Sequence, residues 1–306
     1  MKKQGFNLYP GCYVRGKWSG HGYIIEKELG SGACGTVFLS RNAKGEKCAL
    51  KIGSDSSRLM LEVNMLKKFG KVQGVKLGPS FVDVDDWVDP SRQTFPFYVM
   101  EYIEGTALRS FLKGKSREWV GICALQLLSD LEHLHRAGYA FGDLKTDNLL
   151  MVDSRIRLID VGGVTQFGRA IKEYTEFYDR GYWGMGSRKA DPSYDLFAVS
   201  MIMLEMAYPG RFEKGVKPSR TLMNKLTAST LLKPYQKMII QCWEGKYLHA
   251  SEMKHSLSLV LMKRTMSPPP SRRKKRQQQG SEKVELVTFS ILSVLFLGVS
   301  IFSFWI

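Results

Sequence analysis

One short segment limits the possible folds and chemistries of this chain more than any other part of the sequence. Residues 141–150 read FGDLKTDNLL, so three polar groups of different chemistry stand directly before an apolar run. Asp143 can accept a proton from a hydroxyl, Lys145 can neutralise a transferring anionic group, and the amide oxygen of Asn148 is a hard ligand suited to Mg²⁺. The spacing therefore indicates a site that handles a proton, a negative charge and a divalent cation together.

A second carboxylate follows a short strand-like segment further along the chain. Residues 155–158 read RIRL, and Ile159, Asp160, Val161 and Gly162 come next. In phosphoryl-transfer sites, a carboxylate at the end of such a strand holds Mg²⁺ against the β- and γ-phosphates of a nucleotide. Asp160 is therefore a candidate metal ligand beside Asn148.

A glycine-rich stretch near the N-terminus has the pattern G-x-G-x-x-G-x-V. It comprises Gly30, Ser31, Gly32, Ala33, Cys34, Gly35, Thr36 and Val37. Glycines allow a tight turn whose backbone N–H groups approach phosphate oxygens, so we expect these residues to bind a nucleotide. A dinucleotide-binding fingerprint has similar glycines but requires a helix directly after the third one. Residues 36–39 read TVFL, which is typical of a strand, so a β-hairpin is the favoured interpretation.

The next strand-like segment, residues 47–52, carries a lysine among apolar residues. Lys51 is costly in such a strand unless an anionic group meets it, and the phosphates of a nucleotide are suitable. Residues 58–69 have helical spacing of apolar side chains, and Glu62 lies within them. Glu62 is positioned to pair with the ammonium of Lys51 and hold it in place.

Taken in their order along the chain, these four elements resemble the motifs of eukaryotic-like (Hanks-type) protein kinases over roughly residues 19–265. The resemblance implies an α+β, bilobal fold, with a small β-rich N-lobe to about residue 103 and a larger helical C-lobe from about residue 104 to residue 266. It also implies transfer of the ATP γ-phosphate to protein hydroxyls, with ATP and Mg²⁺ as cofactors and Asp143 as the proton acceptor. Lys145 is the residue that serine/threonine kinases, rather than tyrosine kinases, carry at this position.

The resemblance extends to the segment that would join the lobes, residues 98–105. It implies that Met100 is the gatekeeper of the nucleotide pocket, and that the backbone of Glu101 and Ile103 meets the adenine. It places four apolar side chains around the base: Leu29, Val37, Ala49 and Leu150. Asp195, ahead of an apolar helix, resembles the buried aspartate that braces the catalytic loop in this family.

The sequence departs from the family pattern at several positions. Phe141 and Gly142 stand where the family has His-Arg before the catalytic Asp, and Val161 replaces the Phe of the metal-binding motif. No Ala-Pro-Glu element is recognisable between residues 175 and 195. A phosphate on the activation loop would therefore lack its usual arginine partner. Two rival interpretations remain. One is a small-molecule phosphotransferase of the kinase-like superfamily. The other is a pseudokinase scaffold, which is expected to lack at least one of four polar residues: Lys51, Asp143, Asn148 and Asp160.

The C-terminal end predicts attachment to a membrane. Residues 286–306 contain no charge and, as a helix, would span roughly 32 Å, close to the roughly 30 Å of a bilayer core. Five consecutive cations at 272–276 place the preceding chain in the cytoplasm by the positive-inside rule, within a proline-rich and polar linker at 267–285. With residues 1–18 as an N-terminal extension, the whole chain resembles the tail-anchored YabT type of kinase from spore-forming bacilli.

The composition adds a prediction about partners. The 306 residues include 45 Lys and Arg against 29 Asp and Glu, and the run at 272–276 accounts for only five of these cations. A basic body favours a polyanionic partner, which is DNA, RNA or anionic lipid, and DNA is slightly favoured. The five cysteines are scattered and odd in number, which argues against a disulfide framework.

Overall fold

A computed structural model describes residues 7–32, 34–69 and 77–266 of the chain, and its N-terminal part is a six-stranded antiparallel sheet. The strands run in the order β1-β2-β3-β4-β6-β5. Their bounds are Tyr13–Arg15 (β1), Gly22–Gly32 (β2), Gly35–Asn42 (β3), Lys47–Ile52 (β4), Phe81–Val88 (β5) and Thr94–Glu101 (β6). One helix, α1 (Ser56–Phe69), packs on β5 and β6.

Alternation along β4 divides the sheet into two faces. Leu50 and Ile52 point into an apolar cluster with residues of β2, β3 and β6, and both are fully buried. Ala49 and Lys51 therefore lie on the opposite face, because successive side chains of a strand alternate. Register places Val37 and Tyr98 on either side of Lys51 on that face. The sheet thus gives one face to its core and the other to the candidate nucleotide site.

The C-terminal part is mainly helical. Its helices are α2 (Leu108–Phe111), α3 (Glu118–Arg136), α4 (Pro192–Ala207), α5 (Pro218–Ala228), α6 (Gln236–Trp243) and α7 (Ala250–Met266). Helix α4 is buried along nearly its whole length and packs against α3, as its apolar sequence predicts. It begins cleanly because Pro192 occupies its first turn and the side chain of Asp191 accepts the N–H of Tyr194 at 3.1 Å.

One short strand directly before α2 and four between α3 and α4 position the loops of the site. They are β7 (Thr106–Ala107), β8 (Tyr139–Ala140), β9 (Leu149–Val152), β10 (Arg155–Leu158) and β11 (Thr165–Gln166). The β9–β10 hairpin turns through Asp153 and Ser154, both with positive φ, and pairs Leu149 with Leu158. This pairing brings the residue before β9, Asn148, close to the chain that follows β10.

The predicted two-lobed α+β architecture is confirmed, and the glycine-rich stretch is a hairpin rather than the start of a helix. Residues 13–18 of the N-terminal extension contact the sheet, since β1 pairs with β2 and the N–H of Trp18 donates to Asp85 at 3.0 Å. Within the described residues, no helix is long and apolar enough to cross a membrane. The predicted linker, the basic run and the span at 286–306 all lie outside those residues.

Candidate active site

The loop that carries Asp143 lies between β8 and a 3₁₀ turn at Thr146–Asn148. Lys145 Nζ lies 2.5 Å from Asp143 Oδ2, and the hydroxyl of Thr175 donates to Asp143 Oδ1 at 3.0 Å. Lys145 Nζ is also 3.4 Å from Thr175 Oγ1. A carboxylate, an ammonium and a hydroxyl therefore meet at one point. Thr175 lies 32 residues from Asp143 in the sequence, and no motif spacing predicted this contact.

Two glycines allow the loop to approach the segment that follows Asp160. Gly142 has φ +83°, and a Cβ there would lie 2.4 Å from the carbonyl oxygen of Gly163. A Cβ on Gly163 would lie 2.8 Å from the backbone N of Asp143. A larger residue at either position would force the two segments apart. Gly142, one of the residues at which the chain departs from the family pattern, is therefore required by the local packing.

A buried carboxylate on α4 fixes the start of the catalytic loop. Asp195 accepts the backbone N–H groups of Phe141 at 2.7 Å and Gly142 at 3.0 Å, and it is fully buried. The ring nitrogen Nε2 of His135 lies 2.9 Å from the same carboxylate. Three partners within the protein therefore satisfy this charge. Asp195 was expected from the sequence to act in this way, whereas His135 was not expected as its partner.

The strand lysine and the helix glutamate form a buried ion pair. Lys51 Nζ lies 2.6 Å from Glu62 Oε2, and the hydroxyl of Tyr98 donates to the same oxygen at 2.6 Å. Lys51 and Glu62 are only 6% and 4% exposed. Burial alone would lower the pKa of Lys51, but the charges of Asp160 and Glu62 outweigh it, so the pKa is raised and Lys51 stays protonated. Sequence spacing predicted the pair, while Tyr98 was missed.

The two candidate metal ligands lie where the hairpin and the catalytic loop meet. Asn148 Nδ2 donates to the carbonyl oxygen of Asp143 at 3.2 Å, and Asp160 Oδ1 accepts the N–H of Gly162 at 2.9 Å. A Cβ on Gly162 would lie 3.2 Å from both Asp160 Oδ1 and Glu62 Oε1, so these carboxylates face one small space. No three His, Cys, Asp or Glu of the described chain form a metal-binding group. Asn148 and Asp160 suit Mg²⁺, which usually takes one or two protein oxygens together with phosphates.

The glycine hairpin pairs Gly30 with Val37, Ser31 with Thr36 and Gly32 with Gly35, while Ala33 lies outside the described residues. Gly35 has φ +140°, and a Cβ there would lie 2.4 Å from the carbonyl oxygen of Ile52. Nothing lies within 4 Å of the Cβ positions of Gly30 and Gly32. The hairpin is thus tight against β4 at one glycine and open at the other two, where a phosphate would need room.

The tip of the hairpin contacts a segment of the other lobe. Cys34 Sγ donates to Glu173 Oε1 at 2.9 Å, and Arg58 Nη1 lies 3.6 Å from the same sulfur. Burial and the hydrogen bond to Glu173 raise the pKa of the Cys34 thiol to about 11. Cys34 is therefore a protonated thiol at neutral pH, not a reactive thiolate.

The residues expected around the adenine differ in burial. Ala49, Met100 and Ile103 are buried, Val37 and Leu150 are half-buried, and Leu29 is 42% exposed. The N–H of Glu101 donates to the carbonyl oxygen of Ser80 at 2.8 Å, so this N–H is already used in a hydrogen bond within the protein. An adenine contact at Glu101 would have to use its carbonyl group, while Ile103 would supply the N–H.

Comparisons with known proteins show which family this chain resembles. A profile described as the protein kinase domain matches residues 23–279. The chain is 48% identical to the serine/threonine-protein kinase YabT of Bacillus subtilis (strain 168) over 254 residues, covering 82% of this chain and 75% of that protein. It is 25% identical to the probable serine/threonine-protein kinase YbdM of the same organism over 258 residues, covering 80% and 91%. The solved structure of vaccinia related kinase 3 matches with a TM-score of 0.58 at 18% identity, covering 86% of this chain and 95% of that one, which is a likeness of fold alone.

Proposed function

This chain belongs to the protein kinase family, as a YabT-like bacterial serine/threonine kinase of the Hanks type, and we propose that it performs phosphoryl transfer at Asp143. The observation that carries the proposal is the cluster of Asp143, Lys145 and Thr175, with separations of 2.5, 3.0 and 3.4 Å. It supplies a proton acceptor, a cation and an orienting hydroxyl where an acceptor Ser or Thr would bind.

In this proposal Asp143 accepts the proton of the attacking hydroxyl, and Thr175 holds the carboxylate in place through its own hydroxyl. Lys145 neutralises negative charge that develops on the transferred group. Asp195 and His135 keep the loop fixed from behind, so little reorganisation accompanies the reaction. Asp143 and Lys145 are the catalytic residues, whereas Thr175, Asp195 and His135 are positioning residues.

For the nucleotide, we propose that Lys51 and the hairpin from Gly30 to Val37 bind the ATP phosphates, and that Asn148 and Asp160 hold Mg²⁺. Bound Mg²⁺ would supply positive charge at the phosphates. Lys51 is already protonated and is held by Glu62, so it offers a fixed charge. The base would lie among the seven residues expected to surround it: Leu29, Val37, Ala49, Met100, Glu101, Ile103 and Leu150.

We also propose that the kinase domain spans residues 19–266 and is joined by the linker at 267–285 to a membrane-spanning helix at 286–306. The support is the uncharged length of this segment and the five cations at 272–276. The domain would then be cytoplasmic. Extraction of the chain from membranes by detergent but not by carbonate would test the anchor, and release of the chain by carbonate would contradict it.

Recruitment or activation by a polyanion, with DNA slightly favoured over anionic lipid, is a further part of the proposal. Its support is a set of exposed cations on the described chain: Lys67, Lys68, Lys113, Lys115, Arg117, Lys217 and Arg220. Arg211 does not belong with them, because it pairs with Asp147 and Glu205. If DNA changes neither column retention nor activity at low salt, while anionic vesicles do, lipid is the partner.

The test of the catalytic proposal uses the full chain, γ-labelled ATP, Mg²⁺ and two generic acceptor proteins, one acidic and one basic. We expect label on Ser or Thr, identified by mass spectrometry, and no label without Mg²⁺. Bound ATP without labelled protein would contradict protein phosphorylation and favour a small-molecule acceptor instead.

A further inference from the structure

A second buried carboxylate lies on α4, ten residues after the one that braces the catalytic loop. Glu205 is 1% exposed, and its Oε2 accepts the hydroxyls of Thr146, at 2.8 Å, and Tyr178. Its Oε1 meets two guanidinium groups, those of Arg211 at 2.9 Å and of Arg109. A buried carboxylate needs such partners because its desolvation costs several kcal/mol otherwise. Both carboxylate oxygens of Glu205 therefore have hydrogen-bond partners within the chain.

Arg211 binds a second, exposed carboxylate as well. Its Nη2 lies 2.9 Å from Asp147 Oδ2 and 3.2 Å from the hydroxyl of Tyr178. The guanidinium also lies 5.2 Å from the centre of the Tyr178 ring. The backbone of Arg211 has φ +57°, an uncommon conformation for a residue other than glycine. Several contacts hold this residue in a strained conformation, and its side chain remains 29% exposed.

This network lies next to the place where the acceptor hydroxyl would bind. Asp147 follows Asp143 by four residues, which limits their Cα separation to about 14 Å. Tyr178 follows Thr175 by three residues, and Thr175 donates to Asp143. An extended peptide advances about 3.3 Å per residue. The exposed edge of Arg211 is therefore within reach of a substrate side chain roughly two to four residues from the phosphorylated Ser or Thr.

The two carboxylates that face this position, Asp147 and Glu205, are thus already neutralised by arginines of the chain itself. A substrate Lys or Arg entering there would meet the guanidinium of Arg211 and find no uncommitted carboxylate. Desolvation and the charges of Glu176 and Glu213, which are both exposed, raise the pKa of Tyr182, so other carboxylates lie near Tyr182. The effect of Arg211 is accordingly limited to the one substrate position that contacts it.

We propose that Arg211 is a specificity-determining residue, which selects an acidic side chain and rejects a basic one at this substrate position. The inference rests on the proposed phosphorylation of protein Ser and Thr at Asp143. Arg211 acts in it by charge alone, as a guanidinium held against Asp147 and Glu205 with one edge open to the acceptor peptide. Asp147 weakens the preference for an acidic side chain, because its carboxylate competes with the substrate for the guanidinium of Arg211.

The test is a set of Ser-centred peptides in an alanine background, with Asp, Ala or Lys placed in turn at four positions on each side. For the full chain we expect kcat/KM for Asp to exceed that for Lys by roughly tenfold at one position, two to four residues from Ser. The Asp/Lys ratio within each enzyme is the readout, so a general loss of activity in a variant does not affect the conclusion.

Three variants decide the role of Arg211. Arg211→Gln should bring the ratio to one or below it, because the carboxylate of Asp147 is then open to a substrate cation. Asp147→Asn leaves the buried Glu205 network intact and should raise the ratio severalfold. Arg136→Gln, at an exposed arginine on α3 that pairs with Glu132, is the matched control and should leave the ratio unchanged.

An equal rate for Asp and Lys peptides at every position, or a ratio unchanged by Arg211→Gln, would overturn the inference. Peptide binding without ATP, followed by fluorescence anisotropy, gives the corresponding Asp/Lys ratio of affinities without turnover. Discrimination in binding without any phosphorylation would contradict the proposed function and leave the specificity inference standing. Phosphorylation without discrimination would contradict the inference alone.

Discussion

The hydroxyl of Thr175 donates to the carboxylate of Asp143 at 3.0 Å and thereby joins the segment before α4 to the catalytic loop. In this chain Phe141 and Gly142 precede Asp143, so no arginine of the loop is available to make such a connection through a phosphate. The contact needs no modification to form. Thr175 therefore provides the link that keeps the acceptor side of the site assembled.

Replacement of Thr175 by Ala should lower kcat about tenfold or more, because Asp143 loses the donor that orients it. Thr175→Ser keeps the hydroxyl and should retain most of the activity. Steady-state kinetics of both variants with ATP and a peptide acceptor measures the difference. Equal kcat values for the Ala and Ser variants would show that the hydroxyl has no such role.

Replacement of Lys51 by Met should remove the fixed charge at the phosphates and lower kcat/KM for ATP at least tenfold. It also leaves Glu62 buried without its cation, which we expect to lower stability, since a broken buried pair typically costs about 3–5 kcal/mol. Stabilisation of the protein by added ATP, read as a shift in Tm, should disappear.

The matched control for this change is Lys47→Met, which removes an exposed lysine of the same strand that pairs with Glu104. It should leave both the Tm and the ATP-dependent shift nearly unchanged, because exposed ion pairs contribute little. A Lys51→Met protein that is still stabilised by ATP to the wild-type extent would refute the assigned role of Lys51.

Burial raises the pKa of Asp130 from its ordinary value of 3.8 to about 6, although Arg155 lies 2.7 Å away and opposes the shift. The folded protein then holds a proton that the unfolded chain releases between pH 3.8 and pH 6. Stability should therefore fall as pH rises through this window. Asp130→Asn should remove this dependence and stabilise the fold above pH 6 by about 1–3 kcal/mol.

Urea unfolding of wild type and Asp130→Asn at several pH values between 4.5 and 8 measures this effect. The two curves of unfolding free energy against pH should converge at the acid end and separate toward pH 7. A variant that is less stable than wild type at pH 8 would mean that the ion pair with Arg155 outweighs the cost of burial.

Cys34 should react slowly with thiol reagents at pH 7.5, because its pKa is raised to about 11 and its hydrogen is held by Glu173. Removal of that partner in Glu173→Ala should speed alkylation of Cys34 severalfold. Mass spectrometry after timed iodoacetamide treatment follows each cysteine separately, with the half-buried Cys12 as an internal reference. Rapid alkylation of Cys34 in the wild type would contradict the assigned contact.

The parts of the site that sequence could predict are those whose members are close in the chain or follow a fixed spacing. The hairpin at Gly30–Gly35, the pair of Lys51 with Glu62, and the loop from Asp143 to Asn148 are of this kind. Their separations are set by one strand, one helix or one turn. For that reason the same polar residues that suggested the chemistry also predicted the two-lobed fold.

The rest depends on packing between segments far apart in sequence. Contacts of Tyr98 with Glu62, His135 with Asp195 and Thr175 with Asp143 each join different elements. A charged residue within an apolar segment is the sequence signal for such a buried contact. Glu205, within the buried helix α4, gives this signal, and the sequence analysis missed it.

Strand β5 was missed for a related reason, since its three aspartates, Asp83, Asp85 and Asp86, hide its alternation. These carboxylates accept hydrogen bonds from Tyr23, Ser19 and Trp18, respectively. Such partners become visible only once the sheet has formed, so a polar strand of this kind does not resemble a strand in sequence.

The most direct measurement of the central claim compares wild type with Asp143→Asn for two quantities, binding of ATP and transfer of its γ-phosphate to a Ser-containing peptide. Asp143 is hydrogen-bonded to Lys145 and Thr175, whereas Lys51 is paired with Glu62, so ATP binding by the variant should stay within about threefold of wild type. Transfer should fall by a factor of roughly 10² or more, because the proton acceptor is lost. Transfer by Asp143→Asn at a rate close to that of wild type would contradict the assignment of Asp143 and with it the proposed mechanism.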